Sequence, residues 1–97
     1  MIFTEERSAT IKFGSMFKSA EYVEGTKVII VKFESSKEAA TFKHIIMFNY
    51  GNIFKLDTAG SAIIVKANDG TTITNVTIDN NLSCLSISLN YTCYRVG

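Results

Sequence analysis

The stretch Ser61–Ile78 constrains the fold most, because it contains two runs of strand-forming residues separated by Asn68-Asp69-Gly70. Val, Ile and Thr, which dominate both runs, carry two heavy atoms on Cβ and therefore favour a pleated strand over a helix. Asn and Asp suit the centre of a type I turn, and the glycine suits the left-handed position that follows. The pattern predicts a β-hairpin with a three-residue loop.

The length of this loop determines which side chains face each other across the hairpin. A three-residue loop pairs Val65 with Ile73 on one face and Ala62 with Val76 on the other. A two-residue Asp69-Gly70 loop would shift the register by one residue and exchange these partners. We favour the three-residue loop, and we interpret its aspartate as a turn residue without a functional role.

The stretch Leu82–Arg95 alternates between apolar and polar residues, which is typical of a β-strand with one buried face. One face carries Leu85, Ile87, Leu89, Tyr91 and Cys93. The other face carries Cys84, Ser86, Ser88, Asn90 and Thr92. A strand this long and regular is expected inside a sheet, with its apolar face on the core.

Two further strands are predicted upstream. Thr10–Phe13 is a short strand that ends at Gly14, and Lys27–Glu34 is a longer one. One side of the longer strand carries Val28, Ile30, Lys32 and Glu34, and the other carries Ile29, Val31 and Phe33. The segment Ser15–Glu24 between them fits neither period clearly, and Glu24-Gly25 marks a turn.

The segment from Ser35 to residue 48 fits two patterns. Ser35 and Glu38 have the spacing of a capping box, and the residues that follow favour a helix. One helical face would carry Ala39, Phe42, Ile46 and Asn49, whereas strand alternation would align Phe42, His44, Ile46, Phe48 and Tyr50. We predict a short helix over Ser36–His44, followed by a strand that starts near Ile45.

Several short strands separated by turn signals predict an all-β fold, a small antiparallel β-sandwich or barrel with one short helix near residues 36–44. The alternative is an α+β fold in which an antiparallel sheet packs against one helix. A chain of 97 residues is expected to form one domain over residues 1–97. The absence of proline is compatible with fully paired strands.

The net charge of +1 predicts little attraction to nucleic acid or to an anionic membrane. Arg7 and Arg95 are the two arginines, and arginine is favoured for phosphate and guanine contacts, so nucleic acid is not the expected partner. No apolar run is long enough to span a bilayer, and Glu5-Glu6 stands where a signal peptide would be apolar. We therefore expect a cytoplasmic or virion-associated protein with a mobile N-terminus.

The density of charge falls near residue 58. Residues 58–97 hold two basic and two acidic side chains and are rich in Ser, Thr and Asn. Such outward residues suit a sheet packed against a second sheet, a neighbouring subunit or a ligand. In this texture the segment resembles the tip domains of phage tail fibres and receptor-binding proteins, which are short β-domains and often trimeric. The resemblance rests on composition and implies an oligomeric, phage-type module.

The sequence offers few groups for catalysis. His44 is the one histidine, and nothing marks a nucleophile or acid partner for it, so we interpret it as a surface residue. Cys84 and Cys93 would face opposite sides of one strand and lie too far apart to bridge, which predicts buried free thiols and a reducing compartment. The spacing of these residues is not that of a metal site. We expect a protein that is not an enzyme and that needs no cofactor or metal.

The best candidate for a recognition surface is a hairpin predicted over Phe48–Leu56, which would turn at Gly51-Asn52. Aromatic rings beside asparagine side chains can stack on a sugar or base and hydrogen-bond to its edges. The same rings could form the apolar centre of a subunit interface, or Phe48 and Phe54 could belong to the core. The predicted binding residues are Phe48, Tyr50, Asn52 and Phe54.

Three functions are consistent with these patterns. The first is a non-catalytic assembly or receptor-binding module that is phage-like and oligomeric. The second is a small intracellular phage-type inhibitor that binds a host protein. The third is a saccharide- or oligonucleotide-binding β-barrel that uses the aromatic cluster. A protein partner, either a second copy of the chain or a host protein, is therefore expected, with a saccharide as the other ligand class.

Overall fold

The computed structural model describes the backbone of residues 2–14 and 17–96 and the side chains of residues 4–14 and 17–92. This part of the chain forms seven strands and one helix. In chain order they are β1 (Ile2–Gly14), β2 (Phe17–Val23), β3 (Val28–Phe33), α1 (Ser36–Tyr50), β4 (Phe54–Ala59), β5 (Ala62–Ala67), β6 (Thr71–Asp79) and β7 (Cys84–Val96).

The strands form two antiparallel sheets, a three-stranded sheet of order β1-β7-β6 and a four-stranded sheet of order β2-β3-β5-β4. Helix α1 packs on β3, β4 and β5 of the larger sheet. Buried side chains from both sheets and from the helix form one continuous core. The mostly β architecture, with two antiparallel sheets and one packed helix, confirms the predicted fold class.

The predicted hairpin of residues 61–78 is wrong, although both of its strands exist. Strand β5 pairs with β3 and β4, so both of its edges are occupied, and β6 pairs with β7 in the other sheet. Val65 therefore lies opposite Ile29 and Leu56, and Val76 lies opposite Ile87. The predicted pairs of Val65 with Ile73 and of residues 62 and 76 do not form.

The residues between β5 and β6 nevertheless have the predicted turn chemistry. The Thr71 amide donates a hydrogen bond to the Asn68 carbonyl at 3.1 Å, and Gly70 has a φ of 84°, in the left-handed region. Glycine reaches that region without the steric cost that a side chain would add. The turn is a corner that carries the chain from one sheet to the other.

Strand β7 confirms the prediction for the long alternating stretch. It lies between β1 and β6, and Leu85, Ile87 and Leu89 are each at most 2% exposed. Its partner β1 begins at Ile2, much earlier than the predicted strand at Thr10, and ends at Gly14 as predicted. Glu5 and its neighbours are paired with β7, so the expectation of a mobile N-terminus is wrong.

Helix α1 is longer than predicted and includes the residues assigned to a strand from Ile45. The Ser35 hydroxyl accepts a hydrogen bond from the Glu38 amide at 3.3 Å, which confirms the predicted cap. The helix then continues to Tyr50 and buries the side chains of Ala39, Phe42 and Ile46. The hairpin predicted over residues 48–56 is therefore wrong, because its first half is helical.

The turn between β6 and β7 covers part of the outer edge of β2. Asn80 accepts a hydrogen bond from the Ala20 amide at 2.8 Å, and the Ser83 hydroxyl donates to the Phe17 carbonyl at 2.8 Å. Unpaired edge groups invite pairing with other chains, and these two contacts satisfy such groups within the molecule. They also fix the two sheets relative to each other at this end of the core.

Candidate functional site

The four predicted binding residues do not form one surface. Phe54 is 2% exposed and belongs to the core. Tyr50 is half-buried, with its ring centre 5.9 Å from that of Phe13 in an edge-on contact. Asn52 is exposed in the turn that follows the helix, and Phe48 is 83% exposed. Successive helical residues are rotated by about 100°, so residues 48 and 50 face nearly opposite directions.

Two exposed apolar residues that the sequence interpretation did not select lie beside Phe48. Ile45 is 46% exposed and Met47 is 55% exposed. Ile45 and Phe48 are three residues apart, so their side chains are neighbours on the outer side of the helix. Met47 is rotated by about 100° from Phe48, toward the side of the helix away from Ile45. We refer to Ile45, Met47 and Phe48 as the α1 patch. Extending the predicted helix by six residues would have revealed it.

The surroundings of the α1 patch carry little charge. Thr41 and His44 lie on the same outer side of the helix, and both are exposed. Lys43 is the lysine nearest to the patch in sequence, and its ammonium group donates a hydrogen bond to the Thr58 hydroxyl at 3.1 Å. This contact holds the lysine against β4 and away from Ile45 and Phe48, although Lys43 lies one turn before Met47.

The three-stranded sheet has a second uncovered surface of different chemistry. Its outward residues alternate with the core residues of β7 and form rows across β1, β7 and β6. The Ser8 hydroxyl donates to the Asn90 side-chain oxygen at 2.7 Å, and the Thr10 and Ser88 hydroxyls are 3.2 Å apart. The four-stranded sheet lies on the opposite side, so the second sheet considered in the sequence interpretation does not cover this face.

A cleft lies where the β5–β6 corner, the turn after α1 and strand β7 meet. It has a volume of about 420 Å³. We call it the corner cleft, and the described residues that line it are Asn52, Ile53, Asp69, Gly70, Thr71, Tyr91 and Thr92. Of the predicted binding residues, Asn52 alone contributes to this lining. Asp69, which we interpreted as a plain turn residue, also contributes.

The described residues offer no arrangement typical of a metal or thiol site. They contain no group of three His, Cys, Asp or Glu side chains that could hold a metal ion. Cys84 is exposed, so the prediction that it is buried is wrong; its position at the start of β7 places it on the outward face. The side chain of Cys93 lies outside the described residues. His44 is exposed, as predicted for a surface residue.

The helix is too short and too polar to cross a membrane, and within the described chain no other helix occurs. Comparisons with protein-family models, with curated proteins and with solved structures found no significant match.

Proposed function

We propose that this protein is a non-catalytic assembly module that associates with a second copy of itself through the α1 patch. The observation that supports the proposal is the 83% exposure of Phe48 beside two other exposed apolar side chains. An aromatic ring exposed to this degree presents on the order of 150 Å² of surface to water. Ile45 and Phe48 are neighbours on the helix, so their exposed apolar surface is continuous, and such surface is typical of interaction sites.

The composition of the patch favours an interface. Aromatic residues and methionine are enriched at the centres of protein interfaces, whereas lysine and acidic residues are depleted. The patch contains Phe48 and Met47, and the nearest lysine is held by Thr58. Burial of these three side chains against a partner would gain hydrophobic free energy without leaving a charge unpaired.

A second copy of the chain is the partner that this chemistry fits best. A symmetric dimer brings the same patch from both chains together, so the patch must not repel itself. Ile45, Met47 and Phe48 are uncharged, and the net charge of the chain is +1, so repulsion between two copies is small. Only self-association requires that the patch does not repel a copy of itself; binding to a protein of different sequence does not.

The geometry of α1 permits this contact without changing the core. The buried side chains Ala39, Phe42 and Ile46 face the larger sheet, while Ile45 and Phe48 face away from it. Rows of side chains three and four residues apart form the ridges with which helices pack together. The exposed apolar area is small, so we expect a dimer that forms and dissociates with concentration and not a permanent one.

Sedimentation velocity tests the proposal. We expect the weight-average mass to rise from monomer to dimer between about 10 µM and about 1 mM protein. Phe48→Ser should weaken association more than ten-fold, because a central aromatic anchor is worth about 2 kcal/mol or more. The control is Leu82→Ser, since Leu82 is 71% exposed in the turn between β6 and β7, outside the patch.

Two results would contradict self-association. If the wild-type protein stays monomeric across the whole concentration range, the α1 patch does not bind a second copy of the chain. Equal effects of Phe48→Ser and Leu82→Ser would show that general surface hydrophobicity drives the association.

An assembly subunit of a phage tail-like particle is the setting that we propose for such a module, following the composition of residues 58–97.

A further inference from the structure

We propose that the corner cleft is a binding site for a neutral mono- or disaccharide. The cleft lies at the β5–β6 corner and is lined by residues that the α1 patch does not include. Its volume of about 420 Å³ is within the range of small-ligand sites. This proposal is independent of self-association through α1.

The walls of the corner cleft are held in place by hydrogen bonds between two turns. The Asn68 amide donates to the Ile53 carbonyl at 2.8 Å, and the Asn68 side-chain nitrogen donates to the Asn52 carbonyl at 3.2 Å. Thr71, which follows the corner, is 4% exposed and donates through its amide to the Asn68 carbonyl. A ligand would therefore meet a preformed site, which reduces the entropic cost of binding.

The side chains of the cleft combine one aromatic ring with planar polar groups. Tyr91 is half-buried, packs against the core and contributes to the lining. Its ring can lie against the C–H face of a sugar, as amphipathic aromatic rings do at mixed surfaces. The Asp69 carboxylate and the Asn52 amide can each form two hydrogen bonds, which suits the neighbouring hydroxyl groups of a saccharide.

The charge of the lining selects a neutral ligand over a phosphate. Asp69 is the sole charged side chain among the described residues that line the cleft. A carboxylate repels phosphate and other anions, and it accepts hydrogen bonds from neutral hydroxyl groups. We therefore expect this site to bind neutral ligands more tightly than nucleotides or inorganic phosphate.

Titration of the ¹⁵N-labelled protein followed by amide chemical shifts tests the proposal. The probes are glucose, galactose, mannose, N-acetylglucosamine, maltose, cellobiose and lactose, each up to about 50 mM, because single-sugar contacts bind at roughly millimolar affinity. We expect at least one sugar to shift the amides of Asn52, Asp69, Gly70 and Thr71 in a saturable way. Inorganic phosphate and adenosine monophosphate serve as the charged comparison.

Variants then locate the contact. Asp69 and Asn52 are both exposed. Asp69→Ala and Asn52→Ala should each lower the affinity for the sugar that binds by about ten-fold, since each removes hydrogen-bonding groups. Asp57→Ala, an exposed carboxylate on β4 outside the lining, should leave binding unchanged. Phe48→Ser should also leave it unchanged, which separates this site from the α1 patch.

Three outcomes would overturn the proposal. The first is that none of the seven sugars shifts the cleft amides at the highest concentration. The second is that shifts occur but map to other residues or survive Asp69→Ala at full strength. The third is that phosphate or adenosine monophosphate binds in the cleft more tightly than every sugar. Amide chemical shifts that match those of the wild-type protein, except near the substituted residue, would confirm that the variants are folded.

Discussion

The two faces of helix α1 carry residues of the same kind and have opposite roles. Ile46 is 1% exposed and belongs to the core, whereas its neighbour Ile45 is 46% exposed. Phe42 packs against Phe33, with ring centres 5.1 Å apart, whereas Phe48 is 83% exposed. The comparison shows that hydrophobicity alone does not decide whether a side chain is buried, because only one face of the helix packs against the core.

The largest expected difference between the two faces is in stability. Ile46→Ala should lower the free energy of unfolding by about 2–5 kcal/mol, because it leaves a cavity among close-packed side chains. Ile45→Ala should change it by less than about 0.5 kcal/mol, since the side chain is half in water and alanine favours the helix. Urea unfolding followed by circular dichroism, at a concentration where the protein is monomeric, gives both values.

Similar losses for both substitutions would show that Ile45 is packed as tightly as Ile46, and the distinction between the two faces would fail. If Ile46→Ala does not fold, Ile46→Val provides the same comparison on a smaller scale. That change removes one methylene group and should cost about 0.5–1.5 kcal/mol. The control Ile45→Val should again have almost no effect on the free energy of unfolding.

The helix also illustrates what the sequence can reveal. The cap at Ser35 and the buried positions 39 and 42 follow from spacing, and they were predicted correctly. Ile46 shares their face, but it lay in the segment predicted as a strand, and Asn49, which the helical pattern placed on the same face, is exposed. The end of the helix was not predicted correctly, because residues 42 to 50 alternate in a way that also fits a strand. Only the packing of Ile46 against the sheet resolves the ambiguity, and that packing depends on residues distant in the chain.

Strand pairing shows the same division between local and distant causes. The turn at residues 68–70 follows from local chemistry, and the structure contains it. Its use as a corner depends on β3, which occupies one edge of β5, and on β4, which occupies the other. Similarly, the charged residues near Glu5 lack a strong strand pattern, yet they pair with the long partner strand β7.

The candidate sites were only partly visible for the same reason. Phe48 and Asn52 were selected from the sequence as parts of one hairpin, but the helix separates them into the α1 patch and the corner cleft. Asp69 and Tyr91 join Asn52 in the cleft from positions 17 and 39 residues away along the chain. No local pattern brings them together, because the cleft forms only where the two sheets meet.

A smaller effect is expected where α1 begins. Ser35→Ala should lower the free energy of unfolding by about 1 kcal/mol, because the Glu38 amide loses its hydrogen-bond acceptor at the helix terminus. Ser36→Ala, one residue further on and also exposed, is the matched control and should change stability by less than about 0.5 kcal/mol. A larger loss for Ser36→Ala would place the cap one residue later than the structure has it.

The smallest effect is expected for Phe48 in the isolated monomer. At low concentration, Phe48→Ser should change the free energy of unfolding by no more than about 0.5 kcal/mol, because the ring is exposed and phenylalanine and serine have similar helix propensities. Urea unfolding at a few micromolar protein measures this value, and Phe42→Ser is the contrasting variant in the core. A clear loss of stability for Phe48→Ser would mean that the ring packs on its own chain. The outer face of α1 would then serve the fold, and the proposal that it binds a second copy would lose its basis.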